Sequence, residues 1–163
     1  MRTRVRPRDV ADRPAVQAFL TRNHSARVAR LGELLDPLDH PAFVAESDDG
    51  QLLGVLTYIP DEAQKQCEIL TLHTTEQWRG VGTALIEAIE QWAARREHVR
   101  LKLITTNDNV DALRFYQRRG FHLAALHAGA VSDARTRLKP EIPLTGSYDI
   151  PIRDEIELEK RLW

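Results

Sequence analysis

The chain has a single cysteine, Cys67, in 163 residues. No internal disulfide can form, which suits a reducing compartment, and the expected location is cytoplasmic. A domain of this size buries roughly 70% of its unfolded surface without staples, so residues 1–163 are expected to form one domain. No run approaches the ~20 apolar residues of a membrane span. The start, MRTRVRPRDV, is basic but lacks the apolar stretch of a secretory signal. Neither charge is in excess, with 23 Lys and Arg against 24 Asp and Glu. The electropositive footprint of a nucleic-acid binder is therefore missing, and neither nucleic acid nor membrane is an expected partner. The histidines at 24, 40, 98, 122 and 127 show no metal-ligand spacing, so no metal is expected. Cys67 stands in an apolar run and reads as core rather than as an acyl-carrying nucleophile.

What is present is an alternation of strand and helix patterns. Residues 3–6 read as an edge strand with a solvated arginine face. Asp12 can cap a helix reaching about Asn23, with Val16, Phe19 and Leu20 on one face. Residues 24–40 lack a clean period but allow a short helix around Arg27–Leu35. Ala42–Glu46 and Gln51–Ile59 form a hairpin through an Asp-Gly turn, and Cys67–His73 adds a third strand. These runs are apolar on both faces, so helices should cover both sides of the sheet. A helix is expected over Gly80–Arg96, a strand over Val99–Thr106, a helix over Asn109–Arg119 ended by Gly120, and a strand over Phe121–His127. Residues 129–151 read as a long connection, of a length often used for functional covers. Residues 155–162 alternate as a last strand.

The strongest chemistry lies in the strand–turn–helix of residues 68–89. A helix start offers unpaired N–H groups and the positive end of a dipole, and both suit a phosphate. Gly80 and Gly82 let the backbone approach an anion closely. The P-loop pattern fails because no lysine follows either glycine. The dinucleotide pattern fits poorly because Leu85 stands where a third glycine belongs.

The run Gln77-Trp78-Arg79-Gly80-Val81-Gly82 resembles Q-x-x-G-x-G, the acetyl-CoA signature of the GNAT superfamily of N-acetyltransferases. Asn109-Val110-Asp111-Ala112-Leu113-Arg114-Phe115-Tyr116-Gln117-Arg118-Arg119-Gly120-Phe121 resembles that superfamily's second signature, N-x-x-A-x-x-[FL]-Y-x-x-x-G-F. The likeness runs over about residues 3–128 and is clearest over 67–121. It implies the GNAT fold, an α/β (α+β) architecture with a mixed, mainly antiparallel sheet of about six to seven strands and helices on both faces. It also implies that acetyl-CoA is the cosubstrate. Gln77, Trp78, Arg79, Gly80, Val81, Gly82 and Thr83 would hold its diphosphate, and the strand end at Leu72 and His73 would pair with the pantetheine arm. Asn109 and Tyr116 share one helix face with the small Ala112 between them, over which a thin pantetheine chain could lie. Residues 137–158 resemble the tail of a subset of bacterial members.

The implied reaction is direct acetylation of a primary amine, on a small molecule or a peptide. An alkylammonium with a pKa near 10 must first lose a proton, the developing oxyanion needs a donor, and the departing thiolate takes a proton. Tyr116 can supply that last proton, and the Leu72 N–H can serve the oxyanion. Glu68 is the first choice as base, at the same strand parity as Leu72. His73, at the opposite parity, is its rival. Trp78 either stacks on the cofactor or covers the helix end. Glu33, Asp36 and Asp39 permit a cationic acceptor but are equally ordinary solvated carboxylates. A GNAT fold that binds and senses acyl-CoA without turnover is the alternative function. A homodimer is compatible with the sequence.

Overall fold

A computed structural model describes residues 3–75 and 80–163. Its elements are β1 (Thr3–Pro7), α1 (Arg13–Arg22), β2 (Val28–Arg30), β3 (Glu33–Leu35), β4 (Ala42–Ser47), β5 (Leu52–Asp61) and β6 (Gln66–Thr74). They continue with α2 (Val81–Arg95), β7 (Arg100–Thr106), α3 (Val110–Arg118), β8 (His122–His127), α4 (Ala130–Arg137) and β9 (Glu155–Arg161). Seven strands make a mixed, mainly antiparallel sheet, and β2 and β3 form a separate hairpin. Two compact units divide the chain. One holds Met1–Arg27, Asp36–Leu101 and Leu162, and the other holds Val28–Leu35, Lys102–Arg161 and Trp163.

In the first unit the strands run in the order β1-β4-β5-β6, all antiparallel. Val16, Phe19 and Leu20 of α1 pack on Ala42, Val44 and Val55, the apolar helix stripe that the sequence spacing foretells. The neighbouring residue Gly54 points to the opposite face, where a Cβ would lie 2.9 Å from Val81 Cγ1 and 3.0 Å from Leu85 Cδ1. Only glycine lets α2 sit this close to the strand. The two helices thus cover opposite faces of β5.

The arginine face of β1 is paired rather than simply solvated. Arg4 bonds Glu46 directly across the ladder, and Arg6 grips Asp12 with two hydrogen bonds, of 2.7 and 2.8 Å. That grip takes the Asp12 carboxylate away from the cap role expected for it. Asp9 instead caps a 3-10 turn over Val10–Asp12, in a reciprocal capping box with Asp12, before α1 begins.

In the second unit β9 lies between β7 and β8. Two expectations from sequence are corrected here. The segment 27–35 is not helical: Val28–Leu35 is a hairpin whose turn is Leu31 (φ 49°) and Gly32 (φ 80°), the paired positive φ of a two-residue turn. The Leu31 N–H donates to the buried Glu155 carboxylate at 3.0 Å, a tie no local pattern reveals. The connection 129–151 contains α4, which buries Val131 and Ala134 one turn apart. The Arg135 guanidinium donates to the carbonyls of Ile142, Pro143 and Ile152, which fixes the irregular chain after that helix.

Candidate active site

The register of β5 and β6 determines which side chains share a face. His73 pairs with Val55, Leu72 with Leu56 and Thr71 with Thr57, but Ile69 pairs with Tyr58 and Glu68 with Ile59. A bulge at Leu70 therefore interrupts the ladder. Cross-strand partners point to the same face, so Glu68 lies on the face of Thr57, Thr71, Val55 and His73, away from α2. Leu72 lies on the α2 face. This corrects the parity expected from sequence, which put Glu68 with Leu72 and His73 on the other side; the extra residue reverses it.

Glu68 and Thr71 are both buried, at 6% and 5% exposure, and Thr57 is closed off at 1%. The Thr57 and Thr71 hydroxyls lie 2.6 Å apart. Ile59 and Val55 are four residues apart on β5, so Glu68 stands about 13 Å along the face from His73, with the threonine pair between them. The Thr75 N–H donates to the Leu53 carbonyl at 2.8 Å. Alternation then turns the His73 N–H toward β5 and the Leu72 N–H away from it, free of that ladder.

The His73 ring Nε2 lies 2.7 Å from Ser25 Oγ. Burial pulls the His73 pKa down to about 4, so the ring is neutral at pH 7.

α2 begins at Val81 after Gly80, whose φ of +79° is left-handed. Among the described residues no side chain caps this helix start, and the first intrahelical bond runs from the Ala84 N–H to the Gly80 carbonyl. The amides of Val81 and Gly82 precede that bond and cannot be satisfied within the helix. Among the described residues a Cβ on Gly80 would meet nothing within 4 Å. An uncapped start on a helix of 15 residues fits a diphosphate. Thr83 lies in the first turn. Gln77, Trp78 and Arg79 fall outside the described residues.

The second signature falls in the other unit. Asn109 is the N-cap of α3: its Oδ1 accepts from the Ala112 N–H at 3.3 Å, and its Nδ2 donates to Thr105 Oγ1 at 3.3 Å. Tyr116 is buried, with its ring edge-on to Phe115 and Phe121 at 5.2 and 5.3 Å between centroids. Burial raises its phenol pKa, against a smaller opposing effect from Arg119. Asn107 serves the backbone, accepting from the N–H groups of Arg153 and Asp154 and donating to the Pro151 carbonyl.

The Cys67 thiol is pushed up to about 12, mainly by burial, and is unreactive. His98 Nε2 lies 3.1 Å from the Glu62 carboxylate, and His127 Nε2 lies 2.8 Å from that of Glu157. Among the described residues no group of three or more His, Cys, Asp or Glu could hold a metal ion. No described helix is long and apolar enough to cross a membrane.

Ser25, Thr57 and Thr71 escaped the sequence reading. Ser25 lies in the aperiodic segment after α1, and the threonines look like ordinary strand formers. Only the cross-strand pairing brings them to one face.

Residues 11–121 match the Acetyltransferase (GNAT) family. The Bacillus subtilis protein YxbD is 48% identical over 116 residues, which are 71% of this chain and 71% of its own. The fold is similar to that of the IAA acetyltransferase from Bacillus cereus, with a TM-score of 0.74 and 20% identity over 98% of this chain and 99% of that one. A GNAT family acetyltransferase from Elizabethkingia anophelis with acetyl-CoA bound superposes with a TM-score of 0.70 and 16% identity, over 98% of this chain and 97% of that one.

Proposed function

Because this chain belongs to the Acetyltransferase (GNAT) family of enzymes, we propose that it acetylates a primary amine directly from acetyl-CoA, with both substrates bound together. One observation carries the reading: a polar face of β6, bearing the buried Glu68 and Thr71 and the partly buried His73, lies beside a Leu72 amide turned away from β5, on the strand that leads to the start of α2.

Acetyl-CoA supplies an acyl carbon activated as a thioester. The amides of Val81 and Gly82, with Gly80, Thr83 and the turn residues Gln77, Trp78 and Arg79, hold its diphosphate. Leu72 and His73 lend their backbone to the pantetheine arm, and Asn109 and Tyr116 line its course. Glu68 receives the proton of the incoming ammonium through water and the Thr57–Thr71 hydroxyl pair, since about 13 Å of strand is too far for direct contact. The Leu72 N–H donates to the oxygen on which charge develops. As the C–N bond forms and the C–S bond breaks, Tyr116 gives its proton to the sulfur and regains one from the newly bonded nitrogen. A phenol is a weaker acid than a thiol, and burial weakens this one further. Donation by Tyr116 is therefore uphill unless the two transfers are coupled.

The experiment is thiol release from acetyl-CoA across a panel of primary amines, followed by single-turnover acetylation with a competent amine. Tyr116→Phe is expected to lower the single-turnover rate by about 10²-fold or more, with acetyl-CoA affinity unchanged. Binding of acetyl-CoA without transfer to any amine would make the chain a sensing module, and an undiminished Tyr116→Phe rate would reduce that residue to packing.

A further inference from the structure

α1 ends in a way that places Ser25 with care. His24 takes a left-handed φ of 58°, which few non-glycine residues adopt. The Ser25 N–H then reaches back to the Leu20 carbonyl at 2.8 Å, closing the helix in the manner of a left-handed cap. Asn23 reinforces the turn by donating from Nδ2 to the Phe19 carbonyl at 2.8 Å. A strained residue and two backbone-directed bonds thus fix Ser25 against a ring on β6.

The Ser25 hydroxyl has two neighbours and one proton. Its Oγ is 2.7 Å from His73 Nε2 and 3.4 Å from the Asn23 carbonyl. The carbonyl can only accept. Both contacts are attractive in one arrangement alone: the hydroxyl donates to the Asn23 carbonyl, and His73 Nε2–H donates to Oγ. The imidazole is then the Nε2–H tautomer, with a lone pair on Nδ1. Among the described residues no other hydrogen bond to this ring is made. His73 is only partly buried, which leaves the ring open to a small donor.

The surroundings of that lone pair select its guest. The face holds Val55, Thr57, Ile59, Glu68, Thr71 and His73, with hydroxyl acceptors and a carboxylate. The opposite face is closed by α2, whose Val81 and Leu85 touch the Gly54 position and whose Trp92 meets Tyr58. Val55, Thr57, Thr71 and Glu68 of this face are buried, Val55 against α1, and His73, next to Leu72, is its partly buried polar side chain, so a nucleophile bound for the Leu72 amide from this side meets the His73 ring. We propose that Ser25 is a positioning residue that locks His73 as a hydrogen-bond acceptor, and that His73 Nδ1 binds and orients an N–H of the acceptor amine. This rests on the acetyltransferase reading above and assigns His73 an acceptor-binding role in place of a base.

Two measurements on the full chain test it. Nitrogen NMR of the histidine rings is expected to show Nδ1 of His73 unprotonated at pH 7 in the parent and a tautomer mixture in Ser25→Ala. Steady-state kinetics with a competent primary amine are expected to show the amine KM raised about two- to threefold in Ser25→Ala, the reciprocal of the competent tautomer's fraction in a mixture near parity. The acetyl-CoA KM should stay unchanged, and Ser25→Thr should recover the amine KM. A protonated Nδ1 in the parent, an unchanged amine KM in a folded Ser25→Ala variant, or acetylated Ser25 found by mass spectrometry each overturns the proposal. A parent that acetylates no amine defeats the enzymatic reading instead, while the NMR result still decides the tautomer lock.

Discussion

The two faces of the β5–β6 pair are built from the same residues in sequence and serve opposite ends. Toward α2 they present Gly54, Leu56, Tyr58, Cys67, Ile69 and Leu72, and the Tyr58 ring packs on Trp92 with centroids 4.9 Å apart. Toward the other side they present Glu68, Thr57, Thr71 and His73 among Val55 and Ile59. One bulged residue separates the two sets. Continued without it, the ladder would set Glu68 against Pro60, on the α2 side, and bury a carboxylate in apolar packing at a cost of several kcal/mol. The difference teaches that a single extra residue can sort polar from apolar side chains on strands whose sequence shows no alternation.

The comparison breaks most severely at Glu68. Glu68→Gln keeps the shape and removes the proton acceptor, and is expected to lower kcat/KM by about 10²-fold or more near neutral pH. The loss should shrink as pH rises toward the amine pKa. A parental rate and pH profile would remove Glu68 from the chemistry. On the apolar face, Gly54→Ala would push a methyl within 2.9 Å of Val81 and 3.1 Å of the His73 carbonyl. Overpacking of this kind costs about 1–3 kcal/mol, measurable as a shift in urea midpoint at constant slope. An unchanged midpoint would mean that α2 gives way freely.

The polar face also carries a pH signature. His73 has a folded pKa of about 4, below the ordinary value near 6.5. Between those values the unfolded chain binds more protons, so stability is full above about pH 6.5 and falls as pH drops toward 4. His73→Gln should flatten that acid limb by about 1–2 kcal/mol between pH 6.5 and 4, allowing for partial exposure. Equal acid slopes in the two proteins would show that the ring titrates normally. The smallest effect is expected at the cap that holds Ser25. His24→Gly relieves a left-handed backbone and should change stability by no more than about 1 kcal/mol, in the stabilising direction. A clear destabilisation would reveal that the His24 side chain itself supports the turn.

Much of the candidate site was legible because its signals are local. Gly80 and Gly82 at a helix start, and the Asn109–Ala112–Tyr116 stripe, depend only on residue spacing along one helix or turn. The apolar stripe of α1 and the alternation of the last strand are of the same kind. The bulge at Leu70 is not, since it exists only as a mismatch in count between two paired strands. The hairpin Val28–Leu35 was hidden because its register is supported by Glu155, 124 residues from Leu31. α4 was hidden because eight residues with two buried side chains carry too little periodicity to read.

The sequence by itself determined the order of strands and helices over most of the chain and the two signatures that carry the family likeness, because periodicity and turn chemistry act over a few residues. Tertiary structure alone decided which face Glu68 occupies, that Ser25 meets His73 and that Arg6 takes Asp12 from its cap role. Each of these depends on pairing between segments distant in the chain, where one residue of register reverses the direction of a side chain.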